Sequence, residues 1–344
     1  LITVFGILFS HNILALMNTK DELIDGAVLY LRIYLLGMPA LGLYNFGNAV
    51  LSAAGDTKRP LYYLAFAGVV NVILNLFFVI VCHLGVAGVA LASMISQFIS
   101  AFLILRALLT GKEKYCLRLS EIRFDKRKAV GILQIGIPSA FQYSLFAFAN
   151  LFVQSSVNSF DHVLVEGNSA AANADPLVYD MMAAFYTACS SFIAQNFGAR
   201  KKKRILQTYL ICLFYSFITS LVLGVGIYLA RYPFLYLFTS DKAVVEAGIT
   251  RLSIMALSYS ASAFMDASIA ASRGLGKTAV PTFVVVMGSC VFRIIWIYTI
   301  FAYFHTIQSL YILYVFSWGI TAIAENIYFF HVYRHTLTEK KELC

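Results

Sequence analysis

Apolar residues run through this 344-residue chain in long blocks rather than in strict alternation with polar ones. The blocks 62–81 and 205–230 are each long enough to cross a hydrocarbon layer ~30 Å thick at ~1.5 Å per residue. In lipid the backbone must satisfy its own hydrogen bonds, which leaves helices or a closed barrel, and unbroken apolar runs of this length exclude barrel strands. With glycine, proline and charge as punctuation, the pattern predicts a partial span up to about Leu16. Nine full spans follow, near 24–54, 61–82, 85–110, 129–155, 173–198, 205–230, 243–274, 279–303 and 308–333. The expected fold class is an all-α membrane protein.

Composition and charge sharpen that picture. Charged residues make up 12% of the chain and hydrophobic ones 60%, where a soluble domain carries ~25% charged residues, so a soluble surface is excluded. The net charge of +9 would suit a nucleic acid, but the basic residues fall in short loops between spans, where they report topology instead. One side receives twenty: Lys58 and Arg59, the eight from Arg106 to Lys128, the five of 200–204, Arg273, Lys277, Arg334, Lys340 and Lys341. The other receives Lys20, Arg231, Lys242 and Arg251. The positive-inside rule then places the C-terminus in the cytoplasm. Six cysteines without a C-x-x-C spacing argue against a disulfide or zinc framework.

Laid on itself with an offset of 221 residues, the chain repeats. Leu16-Met-Asn-Thr falls on Leu237-Phe-Thr-Ser, and Gly55-Asp-Thr-Lys-Arg-Pro60 on Gly276-Lys-Thr-Ala-Val-Pro281, with nine identities between Leu16 and Pro60 and no gap. Both turns lie on the basic side, so the expected lobes are parallel, pseudo-symmetric and related by an axis along the membrane normal, with substrate held between them. Residue 1 matches residue 222, which leaves 128–221 without a counterpart. With an opening residue that is not methionine and no basic leader, the expectation is an N-terminally truncated chain: an incomplete first lobe lacking roughly 2.5 helices, in a design of two six-helix lobes. The expected domains are a lobe at 1–110, a cytoplasmic linker at 111–128, a six-helix lobe at 129–334 and a cytoplasmic tail at 335–344.

No catalytic constellation is visible: there is no paired Asp-rich motif, no H-E-x-x-H and no phosphate loop with lysine. His331 and His335, at i and i+4, lack a carboxylate partner and read as interfacial anchors rather than metal ligands. Ionisable residues inside spans carry more, because a charge at mid-membrane costs several kcal/mol and faces a partner or a wet cavity. Asp266, Arg293 and Glu325 lie ~12, ~20 and ~13 Å from the cytoplasmic ends of their helices, at overlapping depths. They are candidate cation-coupling groups, with Arg293 tuning a carboxylate; the alternative is a fixed ion pair tying helices together. Polar stripes recur at helical spacing: Asn150, Gln154 and Asn158 on one span, Asp180, Thr187, Ser191 and Gln195 on the next, and Asn45 with Asn48 and Asn71 with Asn75 in the first lobe. These are candidate cavity-lining residues, Asp180 also a coupling candidate; the alternative is hydrogen bonding between packed helices. The 29 Phe and 21 Tyr offer surfaces for flat cations, but sequence does not say which face a cavity.

These residues together resemble the multidrug and toxic compound extrusion (MATE) family, and most closely its bacterial DinF-like branch. The resemblance rests on Tyr30-Leu-Arg-Ile-Tyr34 with Gly37-Met-Pro39, the Gly55 to Pro60 turn, Asn71 and Gly85-Val-Ala-Gly-Val-Ala90. It continues through Gly136-Ile-Pro138, Gly167-Asn-Ser-Ala170, Ala194-Gln-Asn-Phe-Gly-Ala199, Arg273-Gly-Leu-Gly276 and Cys290-Val-Phe-Arg293. It implies a V-shaped pair of six-helix bundles exporting amphiphilic, often cationic, organic compounds in exchange for Na+ or H+, with no other cofactor. The acidic residue usual in the family's first helix is missing, the seventh-helix counterpart at 136–154 holds no acid, and Asp266 matches an acidic position of the branch. The first lobe reads Ser52-Ala53-Ala54-Gly55 where an Arg-Gly is usual. The expectation is a monomeric, multi-pass secondary antiporter of the bacterial inner membrane, bound to lipid and a small organic substrate and not to nucleic acid. The alternatives are a lipid or lipid-linked saccharide flippase, for which several cavity arginines would be expected, and, from another class, a membrane-embedded enzyme.

Overall fold

The computed structural model describes residues 2–16, 21–110 and 116–336, and among these there is no β-strand. Lys20, the linker residues 111–115, and the tail from 337 on, with Lys340 and Lys341, lie outside the described residues. Chain contacts divide the protein into two units, 1–123 and 124–344.

The first unit contains α1 (Ile2–Leu16), α2 (Asp21–Leu36), α3 (Met38–Ala53), α4 (Lys58–Leu76), which runs on through a π-turn at Phe77–Val81, and α5 (Gly85–Thr110). The single span expected at 24–54 is therefore two helices, bent by 42° at Gly37. Pro39 in the first turn of α3 has no N–H to continue the helix behind it. A Cβ on Gly37 would also lie 2.1 Å from Gln97 Oε1, so the bend and the approach of α5 need the same glycine. Ala40, Tyr44, Leu51, Ala101, Ile104 and Leu108 form the core of this unit. On α4, Leu64, Phe66, Val69 and Val72 are exposed, as residues of a lipid-facing helix must be.

The second unit has six spans. α6 (Lys126–Val157) begins three residues before the expected position, capped by Asp125, whose carboxylate accepts from the amides of Arg127 and Lys128. α7 (His162–Ala172) and α8 (Ala174–Gly198) make one span, of which only the part from 173 on was expected. α9 (Lys202–Leu229), the short α10 (Arg231–Tyr236) and α11 (Lys242–Gly274) follow. The next span joins α12 (Ala279–Val285), α13 (Phe292–Trp296) and α14 (Ala302–Phe304) through π-turns at Val286–Val291 and Ile297–Phe301, and α15 (Ile307–His335) closes the unit. α11 packs against α7, α8, α9 and α15. Its run Ser262, Ala263, Ala267, Ser268, Ala270, Ala271 and Ser272 is buried, and small side chains let neighbouring backbones approach where lipid offers no hydrophobic drive.

The internal repeat extends to the backbone. Gly55 and Gly276 both take left-handed φ values, +93° and +77°, which glycine alone adopts freely. At the first, Gly55 N–H donates to Ser52 O and Asp56 N–H to Leu51 O; at the second, Gly276 N–H donates to Arg273 O and Lys277 N–H to Ser272 O. This is one Schellman cap built twice, 221 residues apart. The π-turns at Phe77–Val81 and Ile297–Phe301, and the left-handed His83 and His305, extend the correspondence.

Close packing at α11 yields a paired prediction. A Cβ on Gly224 of α9 would lie 2.0 Å from the Ala256 carbonyl oxygen, whereas Gly226 has nothing within 4 Å. Gly224→Ala should destabilise by roughly 1–3 kcal/mol by forcing α9 from α11. Gly226→Ala should be neutral or stabilising by up to about 1 kcal/mol. Thermal unfolding in detergent reads the difference, and equal midpoints would refute the packing argument.

Candidate functional site

A cavity of about 710 Å³ opens inside the second unit, lined only by residues of α6, α7, α8, α11, α13 and α15. α6 supplies Gln142, Phe146, Asn150, Val153 and Gln154, spaced as one face of a helix. α8 contributes Asp175, Tyr179, Tyr186, Thr187 and Ser191. Facing them are Arg251, Asp266 and Arg273 of α11, Arg293 of α13, and Tyr311, Tyr314 and Trp318 of α15. Three arginines and two aspartates thus face one chamber whose lining includes seven aromatic residues.

The charged groups differ in how they are held. Arg251 was expected among the loop charges of the outer side, but it lies nine residues into α11 and is 7% exposed. Its Nη2 meets Asp175 Oδ2 at 2.5 Å and its Nη1 donates to Asn168 Oδ1 at 2.7 Å. The other Asp175 oxygen accepts from the Tyr259 hydroxyl at 2.5 Å. This matched pair ties α7 and α8 to α11. Neither Asp175 nor Arg251 was singled out as a site residue, although Arg251 already lay inside the expected span 243–274.

Arg293 is 1% exposed and has no acidic partner within 4.0 Å among the described residues. Its Nε donates to Ser317 Oγ at 3.3 Å and its Nη1 to Asn150 Oδ1 at 2.9 Å, while Nη2 has no hydrogen-bond partner. Its guanidinium carbon lies 4.5 Å from the Tyr314 ring centre and 5.1 Å from that of Phe146. Asp266 faces the same cavity, half-buried and without an ion pair, so the two are not a fixed ion pair. Arg273, two turns along α11, donates to Gln142 Oε1 at 2.9 Å.

The other candidates divide. Asn150, Gln154, Thr187 and Ser191 line the cavity. Asn158 does not; it is the last residue of the α6 stripe, exposed, and accepts from Gln154 Nε2 at 2.9 Å. Asp180 is exposed and outside the lining, and Gln195 borders a separate shallow groove with Asn196, Lys201 and Arg204. Glu325 is fully buried behind the wall, with no hydrogen bond to either carboxylate oxygen. In the first unit Asn71 donates to Ser96 Oγ and Asn75 to Asn71 Oδ1, Asn48 accepts from Ser52, and Asn45 is exposed. Under the repeat, Asn45 and Val72 stand where the second unit has Asp266 and Arg293. At these two positions the first unit carries no charge. Among the described residues no cluster of three or more His, Cys, Asp or Glu is arranged to hold a metal.

Breaking the matched pair should be costly, because it strands the other charge in a buried site. Arg251→Ala is expected to destabilise by about 3–5 kcal/mol and Tyr259→Phe by about 1 kcal/mol. An unchanged unfolding midpoint for Arg251→Ala would show that Asp175 finds another partner.

The MatE family profile matches residues 1–77 and 138–299. A Bacillus subtilis strain 168 protein described as probable multidrug resistance protein YpnP is 33% identical over 201 residues, covering 58% of this chain and 44% of that one. Probable multidrug resistance protein YoeA of the same strain is 28% identical over 267 residues, covering 75% and 57%. The chain thus spans about half the length of these relatives. A solved MOP superfamily transporter from Pyrococcus furiosus superposes with a TM-score of 0.91 at 21% identity, over 97% of this chain and 75% of that one.

Proposed function

This chain belongs to the MatE family of multidrug and toxin efflux transporters, and from that premise we propose that it works as a secondary active antiporter exporting amphiphilic organic compounds by alternating access. A Na+ or H+ ion exchanged at Asp266 would drive the cycle. The proposal extends to a monomer in the bacterial inner membrane with its C-terminus in the cytoplasm.

One observation carries the coupling role: Asp266 is a carboxylate on a membrane span that faces the cavity and is not locked into an ion pair. A coupling group must release and rebind its cation as the cavity changes its access, so its partner must be exchangeable. Asp175, clamped by Arg251 and Tyr259, is held in the opposite way and suits a structural role. Glu325 is not among the residues that line the cavity.

The reading as a lipid or lipid-linked saccharide flippase gains support from the three arginines of the lining, although Arg251 is neutralised by Asp175. Gradient-independent movement of a fluorescent phospholipid between leaflets of proteoliposomes would favour it over antiport.

The antiport reading is tested with the full-length protein in vesicles carrying an imposed sodium or proton gradient. Asp266→Asn is expected to lower gradient-driven dye efflux at least about tenfold, equivalent to roughly 1.4 kcal/mol. Undiminished coupled efflux would remove Asp266 from the mechanism.

A further inference from the structure

We infer that the cavity of the second unit is a binding site for an organic anion, whose carboxylate or phosphate oxygen pairs with the Arg293 guanidinium while its flat body lies against the surrounding aromatic wall. The inference rests on the reading of the chain as an exporter of amphiphiles and changes the charge expected of what it exports.

Arg251 and Asp175 cancel at 2.5 Å. Asp266 and Arg273 share one face of α11, two turns apart, and form a second set of opposite sign. Arg293 is left over. It is 1% exposed, and no acidic group among the described residues approaches within 4.0 Å.

What surrounds Arg293 offsets its burial only in part. The rings of Tyr314 and Phe146 lend cation–π attraction, and Ser317 and Asn150 accept two of its five hydrogens. All four neighbours are neutral, and Nη2 is left with no acceptor. The same two hydrogen bonds fix the plane of the guanidinium, so its open donor has a set direction. α13, which carries it, is wound between two π-turns, a departure from regular helix that is frequent where a side chain is set for a ligand. Nη2 is buried here, so a ligand oxygen reaches it only as the side chains around it shift.

The wall supplies the other half of the ligand's chemistry. Tyr179 meets Trp318 edge to face at 6.0 Å between ring centres, and Tyr314 meets Trp318 at 5.4 Å. A planar group slides onto such a surface. An oxyanion joined to an aromatic body satisfies both the orphaned donor and the rings. A cationic amphiphile would leave Arg293 unmatched and add repulsion.

Fluorescein and rhodamine 6G share a xanthene ring and carry opposite charge, and their binding to the full-length protein in detergent, followed by fluorescence anisotropy, tests the proposal. Wild type should bind fluorescein at least about tenfold more tightly than rhodamine 6G. Arg293→Gln should weaken fluorescein binding about tenfold or more while rhodamine 6G binding tightens. Arg293→Lys keeps the charge but not the guanidinium fork, so it should lose part of the fluorescein affinity while still preferring fluorescein to rhodamine 6G, which preserves the test if the glutamine variant does not fold. A wild-type preference for rhodamine 6G, or full fluorescein affinity in a folded Arg293→Gln protein, would overturn the proposal. Competition by short-chain phosphatidylglycerol would trace the anion to a lipid headgroup, and competition by 2-naphthoate alone would trace it to a soluble substrate; both keep the anion site. Gradient-driven efflux of the two dyes separates the two readings. Fluorescein bound but neither dye exported would sink the exporter and leave the anion site, whereas rhodamine 6G preferred in binding and exported would do the reverse.

Discussion

A charge in the hydrocarbon layer must be matched, hydrated or put to use, and the second unit is arranged around that constraint. Its tightly matched pair among the described residues, Asp175 with Arg251, joins α7 and α8 to the central helix α11, with Asn168 on the arginine and Tyr259 on the aspartate. That leaves three charges on the cavity wall without a fixed ionic partner among the described residues, Asp266, Arg273 and Arg293. The matched pair holds the chamber together, and the unmatched groups are what it presents to a ligand.

The chamber exists because α11 can be approached from several sides. Its alanines and serines keep its own surface thin, and its neighbours carry glycine where they meet it, Gly167 from α7 and Gly224 from α9. Backbones that close leave the longer side chains of α8, α13 and α15 to define the chamber opposite the α6 face. The duplicated caps at Gly55 and Gly276 show that the helical frame is common to both copies of the repeat. The charges are not: Val72 and Asn45 replace Arg293 and Asp266 in the first unit. At these two positions the frame has been kept and the charge has not.

Much of the frame is legible in the sequence, since spans follow directly from hydropathy and their ends from glycine, proline and charge. The bend at Gly37 is written as Gly-Met-Pro, but a sustained apolar run on both sides hides it. α7 is harder to see, because His162, Glu166, Asn168, Ser169 and Asn173 interrupt its apolar pattern, and it becomes part of a span only once Gly167 packs on Gly248. The polar stripes on α6 and α8 are correctly periodic, yet periodicity defines a face without saying where it stops. Asn150 and Gln154 reach the cavity and Asn158 runs past its end. Arg251 shows the limit of counting loop charges: a basic residue nine positions inside a span belongs to the span, and its partner Asp175 is 76 residues away in sequence. Which aromatics form the wall depends on rotation of α6, α8 and α15 about their axes, and aromatic composition carries no record of that.

The central claim is that Asp266 and Arg293 share a chamber without being partners. A double-mutant cycle on Asp266→Asn and Arg293→Gln, read from unfolding free energies in detergent, addresses it directly. Groups that share a cavity but form no ion pair should couple by about 1 kcal/mol or less. A coupling of about 3 kcal/mol, of the size expected for a buried ion pair, would contradict the account and make the two residues a structural tie.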